Sequence, residues 1–367
     1  MNDLQYDTEY FWQLPTLIKV VWFMCGVLFV VILILIGYLK FLRSHLRGNE
    51  KTLKKYQKEY EENLINYLYA GDGENEMSDE QRAMINKMKI CVTDKFKRNI
   101  IIAVMSKLIN DISGEMAHAI QKFYFETGLV NYALYKLKGK KWDVIASGIK
   151  ELTQFEVKEA HDEIVKYVKH PNREVRNEAQ LYLVSLFQFK GLAFLDKLET
   201  PLSEWAQIQL LEILQKFDNQ EIPNITPWLQ SENNSVVQFA LKLAKIYNQF
   251  DVINELLALL SHENKEIRID TIQVLNYFQD TESKHFLKTN FINSSVEEQM
   301  EFFKLLETVA DKEDEAFILE NVAHHNYEIK QAALKILKAI NVEKFNEVKL
   351  ETSDLQVVEI VNFIETN

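Results

Sequence analysis

The chain has 367 residues, with 10 glycines, 5 prolines and a formal net charge of −12. So few turn residues exclude a β-rich or α/β fold of this length, whose turns need glycine at positive φ or proline at a preset φ. Leu, Ile, Lys, Glu, Gln and Asn dominate instead, and from Trp142 onward about 22 basic side chains face about 38 acidic ones. That balance repels phosphates and excludes a nucleic-acid partner.

Residues 1–19 are expected to form a short extracytoplasmic N-terminus. The run VVWFMCGVLFVVILILIGYL, residues 20–39, is uncharged throughout and predicts a transmembrane helix: at 1.5 Å per residue it covers about 30 Å. Acidic residues ahead of it (Asp3, Asp7, Glu9) and no cleavage site behind it argue against a removed signal peptide. The lack of any polar face argues against a buried core helix. Lys40, Arg43, Arg47, Lys51, Lys54, Lys55 and Lys58 lie beyond the run, whereas only Lys19 precedes it. This places the C-terminal side in the cytoplasm, against the inner or plasma membrane if the cell is bacterial. Tyr6, Tyr10, Phe11, Trp12 and Tyr38 suit interfacial belts, and the basic flank is expected to meet anionic headgroups at about 1 kcal/mol per side chain. Cys25 and Cys91 are too few for a disulfide framework and fit a reducing compartment.

Residues 40–70 read as a basic juxtamembrane helical stalk, with Leu53, Tyr56, Tyr60, Leu64 and Tyr67 on one stripe. The stripe covers barely two heptads, so it serves either a dimer seam or, preferably, packing on its own domain. Gly71 to Glu80 is an acidic loop without EF-hand spacing. Helical patterns resume over Glu80–Phe96, Arg98–Ile112, Gly114–Thr127 and Leu129–Lys138. Residues 71–141 thus read as a helical region capping the C-terminal part of the chain, and KFKR (Lys95 to Arg98) is a second basic cluster for a membrane surface.

Past Lys141 the sequence repeats itself. EVRNEAQLYLVSLF, SVVQFALKLAKIY, EIRIDTIQVLNYF and EIKQAALKILKAI align on a β-branched anchor: Val175, Val236, Ile267 and Ile329. Four residues on stand Ala179, Ala240, Thr271 and Ala333; eight on, Leu183, Ala244, Leu275 and Leu337; eleven on, Leu186, Tyr247, Phe278 and Ile340. These offsets form one helical stripe whose small residues admit a neighbouring helix closely. Arg176, Arg268 and Lys330 stand directly after three of the anchors. A shorter apolar helix and a polar turn precede each segment, and weaker copies begin near Pro201 and Ser294. The period is near 31 residues. A unit that short cannot bury its stripe alone, so neighbours must stack.

Helix, polar turn, then a second helix opening on an acidic–aliphatic–basic triplet resembles HEAT repeats, including the bacterial lyase-type HEAT-like ones. The resemblance covers about 142–350, leaving 351–367 as a C-terminal tail or capping helix. With the apolar run it gives an all-α reading, one N-terminal transmembrane helix followed by an α-α superhelix (a HEAT-like, armadillo-type solenoid), and the resemblance implies protein binding along a long concave surface.

Chemistry is harder to find. No glycine occurs after Gly191, so no phosphate loop can form there. The histidines lack the i, i+4 spacing of helical metal ligands, and His324–His325 reads as a solvated turn pair. Carboxylate groups at helical spacing (Glu159, Asp162 and Glu163; Glu297, Glu298 and Glu301) read as solvated faces, and no nucleophile elbow exists. Trp142, Trp205 and Trp228 are expected in the core. No catalytic, cofactor-binding or metal residue is therefore assigned, and no cofactor or metal is expected. The reading is a membrane-anchored cytoplasmic scaffold or adaptor, not an enzyme, that binds protein partners such as a membrane enzyme or transport assembly. The alternative is an accessory subunit of such a complex, or an enzyme whose groove site leaves no motif.

Overall fold

The computed structural model describes residues 15–70, 77–217 and 222–366, except the side chains of 16–19 and 41–49. The residues assigned to the N-terminal aromatic belt and its acidic neighbours, loop positions 71–76, and the side chains of Lys19, Arg43 and Arg47 lie outside the described residues. All regular structure among the described residues is helical. The chain forms two compact units, Met1–Tyr132 and Ala133–Asn367.

In the first unit, α1 runs unbroken over Thr16–Tyr69, 54 residues, so the apolar run and the stalk are one helix. Val20–Lys40 is long and apolar enough to cross a membrane and is buried nowhere. A soluble core helix would bury that surface at about 25 cal/mol per Å². The far end of α1 does pack: Tyr60, Leu64 and Tyr67 are buried against α2 (Asp79–Thr93), α3 (Lys95–Asp111) and α4 (Glu115–Glu126). The stalk stripe thus serves its own domain, with Tyr67 edge-on to Phe123 at 4.9 Å. Ser78 and Gln81 close a capping box on α2. Asp94 caps α3, which moves the helix break three residues ahead of the expected one. Arg98 of the KFKR cluster turns inward, donating to the Val92 carbonyl at 2.9 Å and lying 4.0 Å from the Tyr132 ring.

The boundary between the units falls inside α5 (Leu129–Leu137), so residues 71–141 are divided between them. Within the second unit Lys136 bonds Glu151, and the Tyr167 hydroxyl donates to the Leu137 carbonyl. Its helices run through α6 (Trp142–Gln154), α7 (His161–Ile164), α8 (Arg173–Phe187), α9 (Glu204–Leu214), α10 (Thr226–Leu229), α11 (Asn234–Ile246) and α12 (Ile253–Leu259). Then come α13 (Lys265–Phe278), α14 (Ser283–Asn290), α15 (Val296–Val309), α16 (Glu315–Asn321), α17 (Tyr327–Ile340), α18 (Val342–Glu351) and α19 (Leu355–Thr366).

The long members α6, α8, α9, α11, α13, α15 and α17 are the second helices of HEAT-like pairs, and short α or 3-10 segments form the first. Their N-cap residues are Lys141, Asn172, Ser203, Asn233, Asn264, Ser295 and Asn326, steps of 31, 31, 30, 31, 31 and 31. The two weak copies are therefore full members in strict register. Helix packs on helix from α6 to α8 and α9, and from α11 through α13, α15 and α17 to α19, so α19 continues the stack. Gln207 and Lys242 join α9 to α11. Polar contacts span about one repeat, as in Arg173–Ser203, Arg268–Glu298 and Lys284–Asp314. That is the signature of nearest-neighbour stacking.

The stripe packs as its spacing demands. All four anchors and all four residues at plus 4 are fully buried. Positions at plus 11 are only half-buried, because the helix ends there and the connector leaves. A second buried row at plus 5 and plus 7 (Leu241 and Leu243, Ile272 and Val274, Leu334 and Ile336) arises because each second helix is covered by neighbours on both sides. Gly191 is needed for one close approach: a Cβ there would lie 2.2 Å from the Leu183 carbonyl oxygen. Elsewhere the glycine-poor chain exits its second helices on Glu156, Gln188, Asn248 and Gln279 at φ of 51–57°, a region glycine enters without steric cost.

Candidate interaction surface on the second helices

Arg176, Arg268 and Lys330 are structural clips. Arg176 donates to the His170 and Pro171 carbonyls, both at 2.9 Å. Arg268 donates in the same way to His262 and Glu263, then forks onto Glu298 of the next repeat at 2.6 and 3.3 Å. Lys330 is buried and bonds Asp354 and Gln356. Gln207 and Gln299 stand at the corresponding place in the weak copies and donate to the carbonyls of Leu202 and Ser294. Arg176, Arg268, Gln207 and Gln299 thus tie the inter-helix turn to its repeat, whereas Lys330 reaches the next helix, and the neutral glutamines explain why the triplet fades in the weak copies.

A second recurrence escaped the sequence reading. His170, His262 and His324 each accept, at Nδ1, the backbone N–H of the asparagine two residues on, and that asparagine's side chain caps the second helix. Ser231 and Asn233 do the same with a hydroxyl. The pattern H-x-N-x-E-[V/I]-[R/K] was legible at 170, 262 and 324; treating each histidine as solitary hid it. His324 is half-buried rather than freely solvated. Burial, then the neighbouring His325, holds its imidazole below the usual 6.5, in keeping with a neutral acceptor.

Chemistry must therefore be sought on the face these clips leave exposed. One residue before the anchor and two, three and six after it share one side of each second helix. On α8 these are Glu174, Asn177, Glu178 and Leu181; on α9, Trp205, Ile208, Gln209 and Glu212; on α13, Glu266, Ile269, Asp270 and Gln273. Side-chain bonds lace the rows together: Asn177 to Gln209 at 3.2 Å and Gln238 to Asp270 at 3.4 Å. Burial pushes the carboxyls of Glu178 and Asp270 up, partly offset by Lys150 beside Glu178 and by the Gln238 bond and Lys242 beside Asp270.

Trp142 and Trp205 do not lie in the core; they are 49% and 62% exposed, and only Trp228 is buried. The reason is register. Trp205 occupies the position before the anchor, filled by exposed glutamates in α8, α13, α15 and α17 (Glu174, Glu266, Glu297, Glu328). With Ile208, 44% exposed, it makes an apolar island on a polar, acidic face. Residues 200–325 carry 21 acidic and 9 basic side chains.

On α1, Lys40, Lys51, Lys54 and Lys55 are exposed, and Lys54 bonds Glu50 at 2.7 Å. Among the described residues no group of three or more His, Cys, Asp and Glu side chains gathers as a metal site would.

No family model matches the chain, and no curated protein matches it. It is similar to a chain in a solved structure titled "Structural Basis of Tubulin Recruitment and Assembly by Microtubule Polymerases with Tumor Overexpressed Gene (TOG) Domain Arrays", with 12% identity over 84% of this chain and 90% of that one, at a TM-score of 0.27. So low a score carries no argument. The assignment as an all-α chain with a HEAT-like solenoid rests on the 31-residue register, the stacked second helices and the repeated asparagine and serine caps.

Proposed function

We propose that the chain is a membrane-anchored scaffold without catalytic chemistry of its own. Its solenoid binds a protein partner through the exposed face of the second helices. The observation that carries this reading is the Trp205–Ile208 island, set among carboxylates on consecutive repeats. Exposed tryptophan ringed by polar groups is the usual composition of an interface anchor, and the exposed carboxylates Glu174, Glu212 and Glu266 on the same face give its rim a negative charge. The partner segment is accordingly apolar at its centre and basic at its rim, and salt weakens its association by slowing encounter.

In this reading α1 crosses the bilayer over 20–39 with the solenoid in the cytoplasm. Because α1 is continuous, an upright helix carries Lys51, Lys54 and Lys55 about 18–24 Å beyond the hydrocarbon edge. That exceeds a Debye length of about 8–10 Å, so among the described lysines the headgroup contact belongs to Lys40.

The test is photo-crosslinking from a benzophenone amino acid placed at Trp205 in the full chain in its native membrane. A protein adduct is expected that Ile208→Ser and 0.5 M salt both reduce, with the melting midpoint unchanged. An adduct indifferent to both changes would remove this surface. Turnover of a small molecule by the purified chain, abolished by one polar substitution, would overturn the scaffold reading.

A further inference from the structure

Against the acidic trend of the second unit, four lysines crowd a short stretch of the first-helix layer. Lys166 and Lys169 come from the segment Val165–Lys169, and Lys190 and Lys197 from the 3-10 segment Gln188–Lys197. Between them opens a slot of about 410 Å³, within the range of small-molecule sites. Val165, Val168, Leu183 and Phe194 wall it beside the ring of His161, whose Nδ1 bonds Asp162. Lys166 is held by Glu163 and Lys169 by Glu199. Lys190 and Lys197 have no acidic partner among the described residues, the adjacent Asp196 being taken up by the Trp228 indole N–H at 2.7 Å. The slot exists because Gly191 lets its segment lie directly on the α8 backbone, which sets the apolar edge of one connector beside the next.

We propose that this slot binds a single-tailed anionic lipid, with the alkyl chain against Val165, Val168, Leu183 and Phe194 and the carboxylate or phosphate head on Lys190 and Lys197. The walls favour an alkyl chain over a peptide. These four side chains offer no donors or acceptors, so a peptide backbone lodged there would lose its hydrogen bonds to water without replacing them, whereas an alkyl chain has none to lose. Two free ammonium groups beside an apolar slot then select the anionic amphiphile over a neutral one. This inference does not depend on the partner surface, which lies on the second helices.

The experiment uses the full chain in nanodiscs of neutral phosphatidylcholine, probed with a diazirine-bearing palmitic acid and with the matching alcohol. Adducts mapped by mass spectrometry are expected in residues 158–169 and 188–197, at least tenfold stronger for the acid than for the alcohol. Lys190→Glu with Lys197→Glu is expected to reduce them about tenfold. Ala193→Trp, at an exposed lining position, is expected to block the slot while leaving the circular dichroism unchanged. Competition by palmitate or by hexadecyl phosphate identifies the preferred head. Equal labelling by the alcohol, labelling unaffected by the charge reversals, or adducts confined to residues 20–40 would overturn the proposal. So would displacement by an acidic amphipathic peptide but not by unlabelled palmitate, which would assign the slot to protein.

Discussion

Single residues decide how the turns and the acidic face behave with pH. The Glu178 carboxyl is raised above its ordinary 4.5, chiefly by burial, so on raising the pH the unfolded chain loses this proton before the folded one does. Its contribution to stability is therefore greatest below that value and is lost as pH rises through the folded value. Glu178→Gln is expected to raise the urea midpoint at pH 7 and to leave it unchanged near pH 4; a lower midpoint at pH 7 would refute the sign. His324 runs the other way. Its folded value lies below the usual 6.5, so the unfolded chain is protonated first. The neutral acceptor supports the fold fully above that value, and its contribution declines as pH falls from there toward the folded value. Between pH 7.5 and 5.5 the wild-type urea midpoint should fall more than that of His324→Gln, whose side chain cannot titrate. The same residues show how much of the surface was legible. The apolar anchors could be read from spacing, because burial imposes periodicity. The Trp205 island could not, because a tryptophan's side of a helix depends on a register that the weak copy near Pro201 obscured.

At the scale of one helix, the cap and the small residue at plus 4 matter most. Asn264 accepts the Glu266 backbone N–H, and Asn264→Ala is expected to cost about 1 kcal/mol, seen as a shift of the denaturation midpoint. Ala333 is fully buried where α17 meets its neighbours. Ala333→Phe must push those helices apart, at an expected cost of about 1–3 kcal/mol; an unchanged midpoint would show that α17 packs in another register. Helix positions before the solenoid were also readable, to within three residues at the ends. The exception is the junction of apolar run and stalk. Sequence marks a change of solvent there, from apolar to charged, but a helix backbone continues across such a change because its hydrogen bonds are internal.

For the whole molecule, stacking makes stability a sum of repeat and nearest-neighbour terms. Asp354 and Gln356, at the start of the last helix, hold the buried Lys330, and Lys338 reaches the Ile364 carbonyl. Removing residues 354–367 is expected to raise amide hydrogen exchange in α17 while leaving α8 to α11 protected, since the main helix contacts among the described residues run from each repeat to its neighbour. Loss of protection throughout would mean that the second unit folds as one block.

What the sequence determined by itself was whatever periodicity encodes: helical content, the apolar run of 20–39, the buried stripe and a period near 31 residues. Each comes from a local rule, that side chains facing one medium recur at the helical repeat. What only the tertiary structure decided was the meaning of the polar positions. The bases after the anchors could face a partner or clip a turn, and the sequence holds the same letters either way. Their carbonyl and carboxylate partners lie five or six residues back and one repeat onward. A polar side chain is satisfied by whatever group reaches it in space, and that is set by stacking rather than by spacing along the chain.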